Sequence, residues 1–376
     1  MKTKGALVWD FNQPWSIEEI ELGDPRHGEV TVALEAAGLC HSDHHLMTGD
    51  IPMAAFPILG GHEGAGVVVE VGPGVEGLEA GDHVVMSFIP ACGRCPACQA
   101  GMRNLCDLGM GLLSGASVSD GSFRVQTHGR DVVAMSLLGT FAPYAVVHQC
   151  SVVKIDKDIP FEVACLVGCG VTTGYGSAVR TAAVRPGDDV AVIGVGGVGT
   201  AALQGARIAG ARRLFAIDPV PWKRELALRF GATAAYPDIE SALGPIAEAT
   251  RGRMCREVIV TVGRAEGADV ESWLSLTSKG GTCVVTAMGN VLATEANLNL
   301  AGLTLQQKSL RGSIFGGGNP QFDIPELLTA YRLGQLNLDD MVTRTYALEQ
   351  INEGYRDMLE GRNIRGVIRY TEADRS

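Results

Sequence analysis

Four cysteines lie close together in the segment CGRCPACQAGMRNLC, where two, two and seven residues separate Cys92, Cys95, Cys98 and Cys106. This spacing, in a segment rich in turn-forming residues, fits four thiolates arranged tetrahedrally around one zinc ion. An iron–sulfur cluster also uses Cys-x2-Cys-x2-Cys spacing, and four unligated cysteines are a further alternative. Four protein ligands leave no position for a substrate. The segment therefore predicts a structural site that stabilises a lobe and performs no reaction.

A second set of possible metal ligands is dispersed along the chain. Cys40 lies in GLCHSDHH, His62 is followed by Glu63 in LGGHEGAG, and Cys169 lies in LVGCGVTTGYG. Two thiolates and one imidazole leave a fourth position for water or a substrate oxygen, which is the composition of a catalytic zinc site. Taken singly, Cys169 is more typical of a core residue and His62 of a loop histidine. The motif around each residue and the nucleotide site that follows favour the zinc interpretation.

The segment IGVGGVG contains a glycine pattern that binds dinucleotides. Gly194, Gly196 and Gly199 form G-x-G-x-x-G between an apolar strand and a helix, and Asp218 ends the next strand. Glycines let the backbone approach a pyrophosphate, and the helix N-terminus favours its negative charge. A carboxylate at Asp218 would hydrogen-bond the adenosine ribose and repel a 2′-phosphate, which favours NAD over NADP. The cations at 223–224 would soften that preference, unless they only begin an exposed helix.

The elements that position these motifs change character along the chain. Up to about residue 160, β-type runs such as Glu29 to Gly38 and Gly64 to Gly72 predict small twisted sheets or a barrel. Later apolar strands, separated by helix-length segments, are typical of buried parallel strands in an α/β sheet. These strands lie at Asp188 to Gly199, Arg212 to Asp218, Arg256 to Gly263 and Gly281 to Gly289. An amphipathic helix and a closing strand are predicted over Leu348 to Tyr370.

Composition limits the class of protein. With 376 residues, 46% apolar and 19% charged, the chain is long enough for two domains. No apolar run approaches the roughly 18 to 20 residues of a membrane-spanning helix, and no secretory signal is recognisable, so we expect a cytoplasmic protein. A net charge of −11 without a basic cluster argues against nucleic acid as a partner. The cytosol keeps thiols reduced, so we interpret the remaining cysteines as buried apolar residues: Cys150, Cys165, Cys255 and Cys283.

From GLCHSD through GHEGAG, the four-cysteine segment, GCGVTTGYGSAV and IGVGGVG to NIRGVIRY, the chain resembles the zinc-containing medium-chain alcohol dehydrogenases. The resemblance implies an α/β fold in which a Rossmann domain with a doubly wound parallel sheet, residues 171–314, binds NAD. A GroES-like, β-rich catalytic domain, residues 1–170 and 315–376, carries the structural zinc lobe. It also implies two zinc ions and NAD(H) per chain, a small alcohol or aldehyde substrate, and a homo-oligomer, either a dimer or a tetramer.

The resemblance also assigns roles at the site. Cys40, His62 and Cys169 become the catalytic zinc ligands, Glu63 lies just behind the metal, and Asp43 orients His62. A zinc ion with an open position lowers the pKa of a bound alcohol, which prepares it to transfer a hydride to nicotinamide.

Further residues match positions that serve the proton and the cofactor. Ser42 and His45 resemble a relay that carries the released proton through the cofactor ribose to solvent. His41 and Arg365 resemble the two basic contacts to the pyrophosphate. Other cofactor-lining positions are Thr173, Gly197, Val198, Lys223, Val262 and Gly263. The predicted substrate pocket is apolar and is formed by Ile51, Phe88, Leu137, Leu138, Met288 and Ile314, each of which is alternatively an ordinary core residue.

Two branches of the family compete on local sequence. The glutathione-dependent formaldehyde branch places an acid and an arginine near the pocket mouth, where this chain has Ile51 and Met110, which cannot pair with glutathione carboxylates. The local sequence is most similar to that of the actinobacterial NDMA-dependent alcohol dehydrogenases in four segments: MKTKGALVWDFNQPW, CHSDHH, FGGGNPQFDIP and NLDDMVT. That resemblance implies a permanently bound NAD, reoxidised by an external acceptor: NDMA in vitro, and mycofactocin, a small redox peptide cofactor, in the cell. An ordinary NAD-exchanging dehydrogenase, S-(hydroxymethyl)glutathione dehydrogenase, and a non-catalytic relative that binds zinc and NAD are the alternatives.

Overall fold

Short strands dominate the first part of the chain, and strands alternate with helices further on, in a computed structural model that describes residues 1–375. The strands are β1 (Lys2–Val8), β2 (Ser16–Leu22), β3 (Glu29–Gly38), β4 (Ile58–Leu59), β5 (Gly64–Val71), β6 (His83–Met86), β7 (Val125–Thr127), β8 (Arg130–Ala134), β9 (Tyr144–His148), β10 (Val152–Lys154), β11 (Asp189–Ile193), β12 (Arg213–Ile217), β13 (Ala234–Tyr236), β14 (Cys255–Val260), β15 (Thr277–Val285), β16 (Ser309–Gly312), β17 (Val342–Tyr346) and β18 (Arg365–Arg369).

The α-helices are shorter than typical for the most part and lie mainly in the second half. They are α1 (His41–Thr48), α2 (Pro96–Gln99), α3 (Phe161–Val167), α4 (Gly170–Gly176), α5 (Gly197–Ile208), α6 (Pro221–Arg229), α7 (Ile239–Ala249), α8 (Val270–Ser275), α9 (Leu300–Leu305), α10 (Pro320–Arg332) and α11 (Ile351–Leu359). A π-helical turn, Ser177–Thr181, continues α4. Turns of 3-10 helix cover Arg103–Leu105, Asp107–Gly111, Met135–Leu137, Gln149–Ser151, Gly267–Asp269, Phe315–Gly317, Asp339–Met341, Leu348–Gln350 and Glu372–Asp374.

One compact unit is rich in β-structure and comprises residues 1–169, 319–333 and the chain from 338 onward. It contains a closed barrel in the order β1-β2-β7-β8-β4 and a sheet in the order β10-β6-β5-β3-β18-β17, with β9 also paired to β3. Strand β3 is buried along almost its whole length, because its apolar run lies in the middle of this sheet. The loop after β3 and the loop before β5 carry predicted metal ligands.

The other compact unit comprises residues 170–318 and 334–337. Its six strands are all parallel and follow the order β13-β12-β11-β14-β15-β16. Alternate residues of β11 enter two different apolar cores: Val190 and Val192 pack in one, and Ala191 and Ile193 in the other. Both faces of the sheet are therefore covered, as a doubly wound Rossmann fold requires.

The predicted elements around the motifs are confirmed. The run from Glu29 to Gly38 is β3, the four apolar runs contain β11, β12, β14 and β15, and the C-terminal segment forms α11 and β18. The boundaries between the compact units follow residues 169 and 318, whereas the sequence predicts boundaries after 170 and 314. Residues 334–337 belong to the unit that contains the parallel sheet. Within residues 1–375, no helix is both long and apolar enough to span a membrane.

Candidate functional site

The four-cysteine lobe, defined as residues 92–106, brings its four sulfurs together. Cys92 Sγ lies 4.0 Å from Cys98 Sγ, and Cys95 Sγ lies 3.9 Å from Cys106 Sγ. A zinc–sulfur bond of about 2.3 Å places the sulfurs of a tetrahedral site about 3.8 Å apart. The arrangement therefore fits one tetrahedral zinc ion.

Backbone N–H groups of the lobe point at its sulfurs. The N–H of Asp107 and that of Cys98 each lie 3.4 Å from Cys95 Sγ, and that of Cys95 lies 3.3 Å from Cys92 Sγ. The two donors to Cys95 Sγ, from Asp107 and Cys98, lower the pKa of Cys95 to about 6. Burial instead raises the pKa of Cys98 to about 12, a direction that a cation among the four sulfurs would reverse. The lobe thus provides backbone donors for thiolates, which a bound zinc ion would stabilise.

The dispersed ligands form a second cluster, which we call the open cluster: Cys40, His62, Glu63 and Cys169. Cys40 precedes α1, His62 and Glu63 immediately precede β5, and Cys169 follows α3. All four residues are buried, and their ligand atoms lie within 4.8 Å of one another. The structure therefore brings together residues that are up to 129 positions apart in the sequence (169 − 40).

The polar atoms of the open cluster need a cation. The hydrogen bond between Cys40 and Cys169 lowers the pKa of Cys40 well below its usual value and raises that of Cys169. Burial opposes protonation of His62, but the negative charges of Asp43 and Cys40 outweigh it and raise its pKa. His62 Nε2 is buried and has no hydrogen-bond partner among residues 1–375. Two thiolates and a free imidazole nitrogen fit a zinc ion with one open position.

Asp43 holds His62 from behind. Its Oδ1 lies 3.3 Å from His62 Nδ1 and accepts a hydrogen bond of 2.9 Å from the N–H of Gly61. Carboxylate contacts of this kind fix the tautomer of a metal-binding histidine, so that Nε2 is left for the metal. Asp43 is fully buried, at the start of α1. The predicted orienting role matches this geometry.

Glu63 lies beside the ligands and is paired with Arg365. The guanidinium hydrogen-bonds Glu63 Oε2, and both side chains are buried. Burial raises the pKa of Glu63 to about 7, although the charge of Arg365 acts against the shift. A Cβ added to Gly38 would lie 2.0 Å from Glu63 Oε2, so only glycine leaves room for the carboxylate. Arg365 is thus placed behind the cluster, and its contact with a pyrophosphate stays a prediction.

The relay residues correct one detail of the sequence interpretation. Ser42 Oγ lies 3.8 Å from Cys40 Sγ, next to the cluster. His45, predicted as the last group before solvent, is only 3% exposed, and its Nδ1 lies 3.1 Å from Asp50 Oδ2. The turn after α1 folds this carboxylate back over the histidine, which covers it. The His45 side chain is therefore more covered than the resemblance implied, and its place in a proton relay stays a prediction.

The glycine loop lies at the carboxyl end of β11, where ligands of parallel α/β sheets bind. Gly194 has φ 85°, a conformation that favours glycine, and a Cβ on Gly199 would lie 1.9 Å from the Gly194 carbonyl oxygen. A Cβ on Gly196 would meet no atom within 4 Å. The loop therefore packs tightly on one side and leaves open space beside Gly196, at the N-terminus of α5, which fits a pyrophosphate.

Asp218 directly follows β12, and its carboxylate hydrogen-bonds the backbone beside this loop. Its Oδ2 accepts a hydrogen bond of 2.9 Å from the Val195 N–H, and its Oδ1 accepts one of 2.9 Å from the Val220 N–H. The carboxylate is thus fixed next to the glycine loop, as a ribose-binding acid must be. Burial lowers the pKa of Lys223, while the nearby charge of Asp218 acts against the shift.

The remaining predicted residues are distributed over both units. In the β-rich unit, Phe88 stacks edge-on against His62 with 5.8 Å between ring centroids, whereas Leu138 packs inside the apolar core. The half-buried residues are His41, Ile51, Gly197, Val198 and Val262; Leu137 and Thr173 are buried; and Gly263, Met288 and Ile314 are exposed. Thr173 Oγ1 has no partner among the described residues, which leaves a hydroxyl available to a ligand.

Some polar contacts near the predicted sites were not foreseen. Ser177 Oγ lies 2.9 Å from both Thr286 Oγ1 and Ser313 Oγ, at the carboxyl ends of β15 and β16. The motif GCGVTTGYGSAV contains Ser177, but no local sequence pattern predicts its contacts with Thr286 and Ser313. The contact of Asp50 with His45 depends on the turn after α1, and no sequence motif indicates it.

Comparison with known proteins places the chain among alcohol dehydrogenases. Residues 26–157 match the model of the alcohol dehydrogenase GroES-like domain, and residues 197–331 match that of zinc-binding dehydrogenases. Alcohol dehydrogenase B of Mycobacterium tuberculosis is 70% identical over 100% of both chains. The NDMA-dependent alcohol dehydrogenase of Amycolatopsis methanolica is 48% identical over 99% of this chain and 100% of its own. The crystal structure of benzyl alcohol dehydrogenase from Acinetobacter calcoaceticus superposes with a TM-score of 0.91 at 28% identity, over 99% and 100% of the two chains.

Replacing Cys106 with Ser should remove the zinc ion of the four-cysteine lobe and lower the free energy of unfolding by about 4 kcal/mol, because loss of a structural metal is among the largest single-residue effects. Zinc content by mass spectrometry and denaturant unfolding measure this. Cys150→Ser is the matched control, since the thiols of Cys92 and Cys106 contribute to its raised pKa but it is not a member of the set. Unchanged zinc content in Cys106→Ser contradicts the assignment.

Replacing Asp43 with Asn should lower the zinc affinity of the open cluster about 10- to 100-fold, because the contact that orients His62 is weakened. Titration with a chelator, with zinc release followed by a chromophoric indicator, would resolve a weak and a tight site. The lobe's zinc should be released as in the wild type. An equal change at both sites would show that the substitution acts on the fold rather than on His62.

Proposed function

The chain belongs to the zinc-containing alcohol dehydrogenase family, and on that premise we propose that it transfers a hydride between a primary alcohol or its aldehyde and an NAD that stays bound between turnovers. Zinc-linked alcohol dehydrogenase activity follows from the family and from relatives over the full chain. The NAD, its retention and the choice of primary alcohols are the parts that we propose.

The observation that carries the proposal is the open cluster with its orienting carboxylate. Two thiols and His62 Nε2 converge, Asp43 holds the other nitrogen of the ring, and Phe88 covers one side with an apolar face. When bound, zinc supplies a Lewis acid that lowers the pKa of the alcohol, and NAD supplies the hydride acceptor.

The chain's own residues contribute orientation and proton transfer. Oxidation of one alcohol by NAD⁺ gives an aldehyde, NADH and one proton, and that proton must leave the site. Ser42 lies beside Cys40 and is proposed to hold this proton first, and His45, further along α1, is proposed to accept it next. Arg365 neutralises Glu63, so the carboxylate does not compete strongly for the metal.

The nucleotide loop supports NAD as the cofactor. Asp218 is fixed by two backbone N–H groups beside the open space at Gly196. A 2′-phosphate would bring negative charge next to this carboxylate, which disfavours NADP. Lys223 interacts electrostatically with Asp218, so its cation would soften the preference.

Retention of NAD is supported by similarity. A relative that is 48% identical over nearly the whole chain is an NDMA-dependent alcohol dehydrogenase, and the same group is favoured by local sequence. We propose that bound NADH is reoxidised by an external acceptor, NDMA in vitro and a mycofactocin-like redox cofactor in the cell. We also propose a cytoplasmic homo-oligomer; all ten cysteines are free thiols, as a reducing compartment favours.

A glutathione adduct is the second candidate substrate, and the structure disfavours it. Ile51 is apolar and half-buried, and Met110, at the other matching position, is 88% exposed. Neither side chain can bind the carboxylates of glutathione. A non-catalytic relative is also disfavoured, because such a protein would have no need of Ser42 beside an open metal site.

The proposed chemistry is tested by a single turnover. Enzyme saturated with NAD is mixed with a primary alcohol, and NADH formation is followed by absorbance. We expect one NADH per active site in the wild type and a rate lowered by at least about 10³-fold in His62→Ala, because the metal that activates the alcohol is lost. His128→Ala, at an exposed histidine, is the matched control. Wild-type rates in His62→Ala would refute the assigned site.

Cofactor retention is tested separately. Protein purified without added NAD and then desalted should release NAD(H) on denaturation, close to one equivalent per chain, and should oxidise alcohol with NDMA as the only acceptor. Tight retention implies that the slow step of exchange is cofactor dissociation. A cofactor-free preparation that turns over only with added NAD would instead identify an ordinary NAD-exchanging dehydrogenase.

A further inference from the structure

The turn after α1 brings a carboxylate against the relay histidine. His45 is 3% exposed and Asp50 is 8% exposed, and Asp50 Oδ2 lies 3.1 Å from His45 Nδ1. We propose that Asp50 is a positioning residue of the proton relay, which orients the His45 imidazole and stabilises its protonated form. The inference rests on the proposed function, because His45 relays a proton only in an enzyme that oxidises alcohols.

The local fold explains why Asp50 faces His45. Helix α1 ends at Gly49, whose φ of 80° and ψ of 9° lie in the left-handed region that favours glycine. The Gly49 N–H donates to the Leu46 carbonyl at 3.3 Å, and the Ile51 N–H donates to the His45 carbonyl at 3.1 Å. These bonds fold the chain back over the last turn of the helix. Asp50, between them, is thereby held against the histidine.

A threonine hydroxyl fixes the carboxylate further. Thr48 Oγ1 lies 3.1 Å from Asp50 Oδ2, the same oxygen that contacts His45. The hydroxyl also lies 3.2 Å from the His44 carbonyl and 3.3 Å from the His45 carbonyl, so it remains within the last helical turn. Because threonine is branched at Cβ, its hydroxyl has few positions to occupy. Asp50 Oδ2 is therefore held by both His45 and Thr48, which leaves the carboxylate little freedom.

The contact determines which nitrogen of His45 accepts the proton. With Nδ1–H donating to Asp50, the neutral ring presents Nε2 as its basic atom. When Nε2 takes up the proton released by alcohol oxidation, the ring becomes a cation within hydrogen-bond distance of a carboxylate. No other bond changes in this step, and the proton stays on the imidazole until it passes to water. A buried carboxylate stabilises an imidazolium in the same way in catalytic triads.

Neighbouring titratable groups do not replace Asp50 in this role. The His41 ring lies 5.9 Å from the His45 ring between centroids, and the His44 ring lies 6.1 Å from that of His41. Burial and the proximity of His45 lower the pKa of His44, so it is neutral near pH 7. The histidines of α1 thus offer no anion to balance a protonated His45, whereas Asp50 does.

The first experiment replaces Asp50 with Asn, which keeps the shape and removes the charge. In the single-turnover assay with saturating NAD, we expect NADH formation to be about tenfold slower or more at neutral pH, with the alcohol concentration for half-maximal rate unchanged. Thr48→Val, which keeps the carboxylate but removes its hydroxyl partner, should slow the reaction less. Asp24→Asn, at an exposed aspartate, is the matched control. Zinc content and bound NAD report on folding in each variant.

A double-mutant cycle separates positioning from a merely structural role. If Asp50 acts through His45, then Asp50→Asn has no further effect in a His45→Ala background. If Asp50 only stabilises the turn, the two losses multiply, and this outcome overturns the proposal. A wild-type rate for Asp50→Asn, alongside a slow His45→Ala, also overturns it and leaves the proposed function intact. A wild-type protein that forms no NADH from any primary alcohol would instead refute the proposed function.

Discussion

Unbalanced charge in the interior is the constraint on which the open cluster depends. The ligand atoms of two cysteines, a histidine and a glutamate lie within 4.8 Å of one another in a buried site. Buried ionisable groups of this kind are costly unless they are paired or coordinate a metal. Arg365 is paired with Glu63 and Asp43 with the ring of His62, so these charges are already engaged where the two thiols converge. A zinc ion would satisfy these groups. Because the two thiolates and the imidazole supply three ligands, the fourth position on the zinc is the one that the substrate would occupy.

The β-rich unit provides rigid positions for these ligands. Cys40 follows the largely buried strand β3, and His62 and Glu63 precede its neighbour β5, so two paired strands fix three of the four residues. Gly38 leaves the space that Glu63 occupies. The parallel sheet positions the nucleotide loop in the same way, because Gly194 directly follows β11 and Asp218 directly follows the neighbouring strand β12. In both units the predicted functional residues lie in loops at the ends of strands, and the strands themselves form the packed core.

Local patterns predicted much of this, and the failures have a common origin. The four-cysteine lobe and the glycine loop are contiguous, so their spacing alone indicates their geometry. The pairing of Arg365 with Glu63 joins residues 302 positions apart, and no local pattern reveals it. The family resemblance alone led His45 to be expected at the solvent end of the relay, and it could not show that the turn after α1 brings Asp50 over the ring. The hydroxyl contacts of Ser177 likewise depend on strand order rather than on sequence.

Anomalous diffraction at the zinc absorption edge, recorded from crystals of the enzyme as purified, tests the central claim most directly. Two peaks per chain are expected: one among the sulfurs of the four-cysteine lobe, and one within bonding distance of Cys40 Sγ, His62 Nε2 and Cys169 Sγ. A single peak in the lobe, with an ordered and metal-free open cluster in fully active protein, would contradict zinc-dependent alcohol oxidation at this site.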